Sequence, residues 1–159
     1  REGIHISHVA TIEMFVSDLD ALESACKQLG LVLKRGQSTY QWYGVWMNDY
    51  NAQRAAAMRG FDPAQFGKCD HAIQRENHKP GDYEIGLVKR RDGQPGWEVV
   101  FDDFASGNYF PAKLGGPDLP ELKNEYSASM AERYWQGRGY VTQRTYLPNN
   151  ELQVEAFRR

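Results

Sequence analysis

Residues Asp82–Phe104 read DYEIGLVKRRDGQPGWEVVFDDF. Tyr83, Ile85 and Leu87 alternate with Glu84, Gly86 and Val88, and Trp97, Val99 and Phe101 alternate with Glu98, Val100 and Asp102. A period of two places one apolar row on one face of a pleated strand. Between the two arms, Asp92-Gly93 and Pro95-Gly96 supply the positive and fixed φ values that turns require. The stretch predicts a β-hairpin at the centre of a sheet.

N-terminal to it, Val9–Val16 alternates as a first strand. Ser17 is the expected helix cap, with Asp20 as the acid three residues on. Leu19, Leu22, Cys26 and Leu29 then recur at helical spacing, and Gly30 is a natural stop. Leu31–Lys34 and Lys68–Gln74 read as further strands. Between them lies an aromatic-rich insertion at about 39–67, with Tyr40, Trp42, Tyr43, Trp46 and Tyr50 close together and a short helix expected over Ala52–Met58.

C-terminal to the hairpin, Asp118, Pro120 and Glu121 form a capping pattern for a second helix. Leu122, Tyr126, Met130 and Tyr134 follow at a spacing of four on one face. Tyr140–Tyr146 and Glu151–Phe157 predict a closing hairpin across Pro148-Asn149-Asn150. Helices that punctuate hairpins predict an α+β fold: an antiparallel or mixed sheet with two helices on one face, in an elaborated ferredoxin-like, split βαβ arrangement.

The 159 residues suit a single domain with a core large enough to need no disulfide or metal staple. The net charge of −2 provides no bulk attraction to nucleic acid or anionic lipid. No apolar run approaches the roughly 20 residues of a bilayer span. Two cysteines, Cys26 and Cys69, do not resemble a secreted disulfide framework, and with no signal-peptide pattern the expected setting is the cytoplasm.

The rings of Tyr40, Trp42, Tyr43, Trp46 and Tyr50 are candidates for anchoring a partner, or alternatively for covering one edge of the core. Lys89, Arg90 and Arg91 are candidates for contact with an anion or nucleic acid, or a solvated hairpin tip. Cys69, Asp70, His71 and His78 include metal-ligating types, but not at zinc-finger spacing. On a strand spanning 68–74, Cys69 and His71 share a face as a possible nucleophile and base, and Asp70 points away. Asp102 and Asp103 alternate in direction, so they make a poor carboxylate dyad. No phosphate-binding glycine loop or nucleophile elbow is present.

Three segments carry a resemblance: SHVATIEMFVSDLDALESACKQLG at 7–30, YEIGLVKRRDGQPGWEVVFDDF at 83–104, and AERYWQGRGYVTQRTYLPNNELQVEAF at 131–157. In that order they resemble a family of short proteins of unknown function. It includes the conserved plastid reading frame numbered thirty-five, its cyanobacterial relatives and proteins of some bacteriophages. The aromatic insertion and GKCDHAI at 67–73 are more similar to the phage members. Val9 stands where the family has an aromatic residue. The resemblance implies no catalytic residue and no cofactor. Some relatives are encoded near AAA-type ATPases, which implies an adaptor role.

The expectation is therefore a non-enzymatic binding or adaptor protein, phage-encoded by resemblance, that uses the aromatic insertion as its anchor. One alternative is a single-stranded nucleic-acid binder using Tyr40, Trp42, Tyr43 and Lys89–Arg91. The other is a metal protein or enzyme centred on Cys69 and His71.

Overall fold

The computed structural model describes residues 9–42, 65–102, 109–148 and 152–158. The helix expected over Ala52–Met58 and the aspartate Asp103 lie outside the described residues.

Strands β1 (Val9–Val16), β2 (Leu31–Arg35), β3 (His71–Arg75), β4 (Ile85–Lys89) and β5 (Trp97–Asp102) form one sheet in the order β1-β5-β4-β3-β2. Every pairing in it is antiparallel. The expected hairpin is β4–β5, with Ile85 opposite Phe101 and Leu87 opposite Val99. It occupies the interior of the sheet, as its doubly covered apolar pattern demands. At its tip Gly96 takes φ +108°, and a Cβ there would sit 2.5 Å from the carbonyl oxygen of Val16, so only glycine closes this turn against β1.

The strand order departs from the expected ferredoxin-like arrangement. Helix α1 (Leu19–Gln28) joins β1 at one edge to β2 at the other, and three strands lie between them. The reason is the continuous meander β2–β3–β4–β5, whose last strand returns to pair with β1. A split βαβ unit would leave only one strand in that gap.

Asp18, not Ser17, caps α1: its Oδ1 accepts the N–H of Ala21 at 3.0 Å. Ser17 is occupied differently, because its backbone N–H and that of Asp18 both donate to the Tyr126 hydroxyl, at 2.9 and 3.2 Å. Ala21, Leu22, Ala25 and Cys26 are the buried stripe of α1, so Cys26 is the small core residue its spacing predicts.

The short helix α2 (Tyr109–Lys113) sends Phe110 into the core, followed by Leu114. Helix α3 (Pro120–Gln136) starts without the expected Asp118 cap. Leu119 holds the cap position in a left-handed conformation, φ 49° and ψ 53°. Pro120 has no N–H to satisfy, and that of Glu121 donates to the Leu114 carbonyl at 3.0 Å, so backbone replaces the side-chain cap.

One core joins Leu33, Ile73, Ile85, Leu87, Val99 and Phe101 on the sheet to Leu22 of α1 and Leu122 and Tyr126 of α3. Each large apolar side chain buried there contributes about 1.5–3 kcal/mol. Both long helices thus pack on one face of the sheet, as expected. The stripe of α3 is broader than the spacing of four implies: Glu125, Ala128 and Ser129 are buried as well, and Tyr134 is 52% exposed. A separate hairpin of β6 (Val141–Tyr146) and β7 (Leu152–Phe157) covers that second side of the helix.

Arg144 of β6 holds this junction together. Its guanidinium reaches Glu125, Glu132 at 2.8 Å and Ser129 at 3.0 Å, and the Tyr146 hydroxyl donates to Glu125 at 3.1 Å. Burial works against the charge on Arg144, but the hydrogen bonds to Glu132 and Glu125 outweigh it and raise its pKa.

Candidate functional site

The sheet face turned away from the helices carries a second, smaller apolar cluster of Tyr40, Ala72 and Val100, with Trp42, Phe66, Cys69 and Val88 packed around it. Tyr40 is 3% exposed and lies flat on Gly86; a Cβ at Gly86 would fall 2.4 Å from its ring. Sequence reading treats Gly86 only as an alternating position in a strand. Its function is to admit this ring.

Two sets of hydrogen bonds hold Tyr40 there. Tyr40 donates its backbone N–H to Gly67 at 2.9 Å and Cys69 donates to Ser38 at 2.9 Å, around an antiparallel bridge between Thr39 and Lys68. The buried Glu84 carboxylate accepts the backbone N–H of Gln41 at 2.7 Å and the side-chain amides of Gln37 and Gln74 at 2.9 and 2.6 Å. Three donors satisfy a buried carboxylate that makes no ion pair among the described residues.

Next to Tyr40 opens a cleft of about 410 Å³. Val88 and Val100 form its floor, Tyr40 and Phe66 a wall, and Lys68, Lys89 and Arg91, with the carboxylate Asp70 among them, its charged rim. Trp42 braces the wall from behind, edge-on to Phe66 with ring centroids 5.5 Å apart. Of the five candidate anchor rings, then, Tyr40 is buried core and Trp42 is half-buried support. Tyr43, Trp46 and Tyr50 lie outside the described residues.

The basic run divides. Lys89 and Arg91 reach the rim, but Arg90 turns to Asp92 and lies over the Phe15 ring, 3.8 Å from its centroid. Lys89 is tied to Asp70 at 2.9 Å, yet its side chain remains 81% exposed. Glu98, nearly buried, accepts the backbone N–H of Arg91 at 2.6 Å and pairs with its guanidinium at 3.2 Å. Lys68 makes no ion pair among the described residues, so it is the cation of the rim most open to a ligand.

The expectation that Cys69 and His71 share one face of a strand over 68–74 is corrected. The strand begins at His71, not Lys68, so alternation does not extend back to Cys69. Cys69 packs into the cleft-side cluster and donates its thiol to the Gln37 carbonyl at 3.2 Å. His71 stands on the helix side, its ring 5.0 Å from that of Trp97. Asp70 does not point away from it: one carboxylate oxygen receives both Lys89 and the Trp97 indole N–H, the latter at 3.0 Å. Burial, reinforced by Glu84 and Asp70, pushes the Cys69 thiol up to about 12, so it stays protonated at neutral pH and is a weak nucleophile. Among the described residues no three His, Cys, Asp or Glu side chains gather as a metal site.

Burial likewise raises the Tyr40 phenol to about 12, so the wall of the cleft is neutral. No helix of the described residues is long and apolar enough to cross a membrane. Comparison with protein-family models, curated proteins and solved structures finds no match.

Proposed function

We propose that this protein is a non-enzymatic binding module, an adaptor that receives an extended segment of a partner protein in the cleft beside Tyr40. The observation that carries the reading is the cleft itself. An apolar floor of Val88 and Val100, large enough for one anchoring side chain, lies under exposed lysines at Lys68 and Lys89. Apolar anchors set in a polar rim are how such segments are held. The resemblance to proteins encoded near AAA-type ATPases makes an ATPase of that class the first partner to test.

Affinity purification from the native host, followed by titration of the recovered partner, tests the proposal. The expected result is a loss of roughly tenfold or more for Lys68→Glu with Lys89→Glu, about 1.4 kcal/mol per factor of ten, with the melting transition unchanged. Undiminished affinity in that variant would sink the cleft reading.

The same rim favours one second reading, a single-stranded nucleic acid held by Lys68, Lys89 and Arg91. With Tyr40 buried, that reading lacks the exposed stacking ring it needs at this site. Oligonucleotide binding at low salt, lost in the same variant, would establish it in place of the protein partner.

A further inference from the structure

The last turn of α3 and the loop entering β6 hold three aromatic rings in contact. Tyr134 and Trp135 meet with centroids 5.1 Å apart, and Trp135 and Tyr140 at 5.0 Å. The Tyr140 backbone N–H donates to the Trp135 carbonyl at 3.1 Å and fixes the chain of rings. The Arg138 guanidinium lies 4.1 Å from the centroid of Tyr134, and that of Arg158 5.9 Å from Tyr140. Phe157, paired across the hairpin with Val141 next to Tyr140, is substantially exposed, as are Tyr134 and Trp135.

Two features separate this patch from ordinary surface. Large rings left in water contribute little to the fold, yet their positions are held by packing and a backbone hydrogen bond. And neither Arg138 nor Arg158 makes an ion pair among the described residues, although their neighbours Arg133 and Arg144 are both paired. Glu155, exposed on the outer face of the hairpin, is the carboxylate nearest Phe157 along the chain. The local balance is positive. Tyr, Trp, Phe and Arg together are the composition of protein-interface cores.

We propose that this patch docks an acidic segment of a protein partner whose carboxylates alternate with apolar side chains. The two guanidinium groups pair with carboxylates and the apolar side chains pack on the rings. A second copy of this chain would bring like charges together. A nucleic acid would gain from only two phosphate contacts, too few for strong counterion-driven binding. The patch lies on the helix side of the sheet and the cleft on the other, so this proposal does not depend on the cleft reading.

The test uses the 159-residue chain labelled with ¹⁵N, the Trp135 indole signal being assigned from Trp135→Phe. The probes are a synthetic peptide of alternating Glu and Leu, its Lys and Leu counterpart, and a thymidine oligonucleotide. The acidic peptide is expected to shift the Trp135 indole and the amides of 134–140. Its affinity should fall roughly tenfold, the worth of a charge-assisted pair, in Arg138→Glu with Arg158→Glu. Arg158→Ala, at an exposed position without an ion pair among the described residues, should show a smaller loss with unchanged melting, and serves if the double variant fails to fold. The proposal is overturned by a silent Trp135 signal, by equal binding of the basic peptide, by undiminished affinity in the variants, or by tighter oligonucleotide binding at the same signals. Shifts confined to Val88, Lys89 and their neighbours would overturn it and leave the cleft reading standing.

Discussion

The Cβ missing from Gly86 is what lets the Tyr40 ring lie on the sheet. Gly86→Ala should lower stability by about 1–3 kcal/mol through overpacking, read by urea denaturation. Tyr40→Ala should cost roughly 3 kcal/mol. The double variant should lose clearly less than the two losses added, because each change removes the clash or contact the other depends on; strict additivity would mean the ring does not rest on Gly86. His71 offers a pH test. Its Nδ1 accepts the backbone N–H of Gly36 at 2.9 Å, and since that group only donates, the ring proton sits on Nε2. Burial holds the His71 pKa below its ordinary 6.5; Asp70 opposes this, and Arg35 and Lys89 add to it. The unfolded chain therefore takes up the proton first. Stability from this group is present above about pH 6.5 and is lost as the pH falls through the lower folded pKa. His71→Asn keeps an acceptor near the Nδ1 position and should remove this part of the acid decline. The Asp70 carboxylate, lowered by Lys89 and the Trp97 indole, contributes above its ordinary 3.8 and loses its share only as the pH falls through its folded pKa, so its decline begins at a lower pH than that of His71.

Among the elements, α3 shows where local rules give way to packing. Its start looks like a capping box, yet the Leu114 carbonyl takes the Glu121 N–H and Leu119 adopts positive φ. Leu119→Gly would relieve about 1–2 kcal/mol of left-handed strain. It would also empty a fully buried leucine site, a loss of roughly 2–5 kcal/mol. The net expectation is destabilisation, measured as a lower melting temperature; a more stable variant would show that Leu119 is not packed as described. The hairpin β6–β7 depends on a buried charge cluster. Arg144→Ala leaves Glu125 and Glu132 unpaired and should cost about 3–5 kcal/mol. Loss of Thr142 and Val154 amide protection in hydrogen exchange would locate that cost in the hairpin.

At the scale of the whole molecule, the sheet separates two surfaces of different make-up. One is a cleft with an apolar floor, the other an aromatic patch with two arginines that make no ion pair among the described residues. Because they share no contact, charge reversal at Lys68 and Lys89 should leave the Trp135 indole signal and its response to an acidic peptide unchanged, and substitutions on the two faces should add. A change in the Trp135 response would instead reveal coupling through the sheet. This arrangement follows from the meander: with β1 and β2 at opposite edges, α1 and α3 cover one face, and the segment 37–42 returns across the other.

The sequence alone determined the elements. Periods of two and four, with glycine and proline at the turns, locate the central hairpin, both long helices and the closing hairpin, because these signals are local. It also identified Cys26 as core, from its helical spacing. Which strand lies beside which was decided by the tertiary structure, since a meander and a split βαβ unit share the same alternation. So was the fate of each aromatic residue: Tyr40 and Tyr134 look alike as strand and helix positions, but one meets Gly86 from across the sheet and the other meets solvent. For these rings burial depends on partners distant in the chain, such as Gly86 for Tyr40, and local spacing does not encode which partner each ring meets.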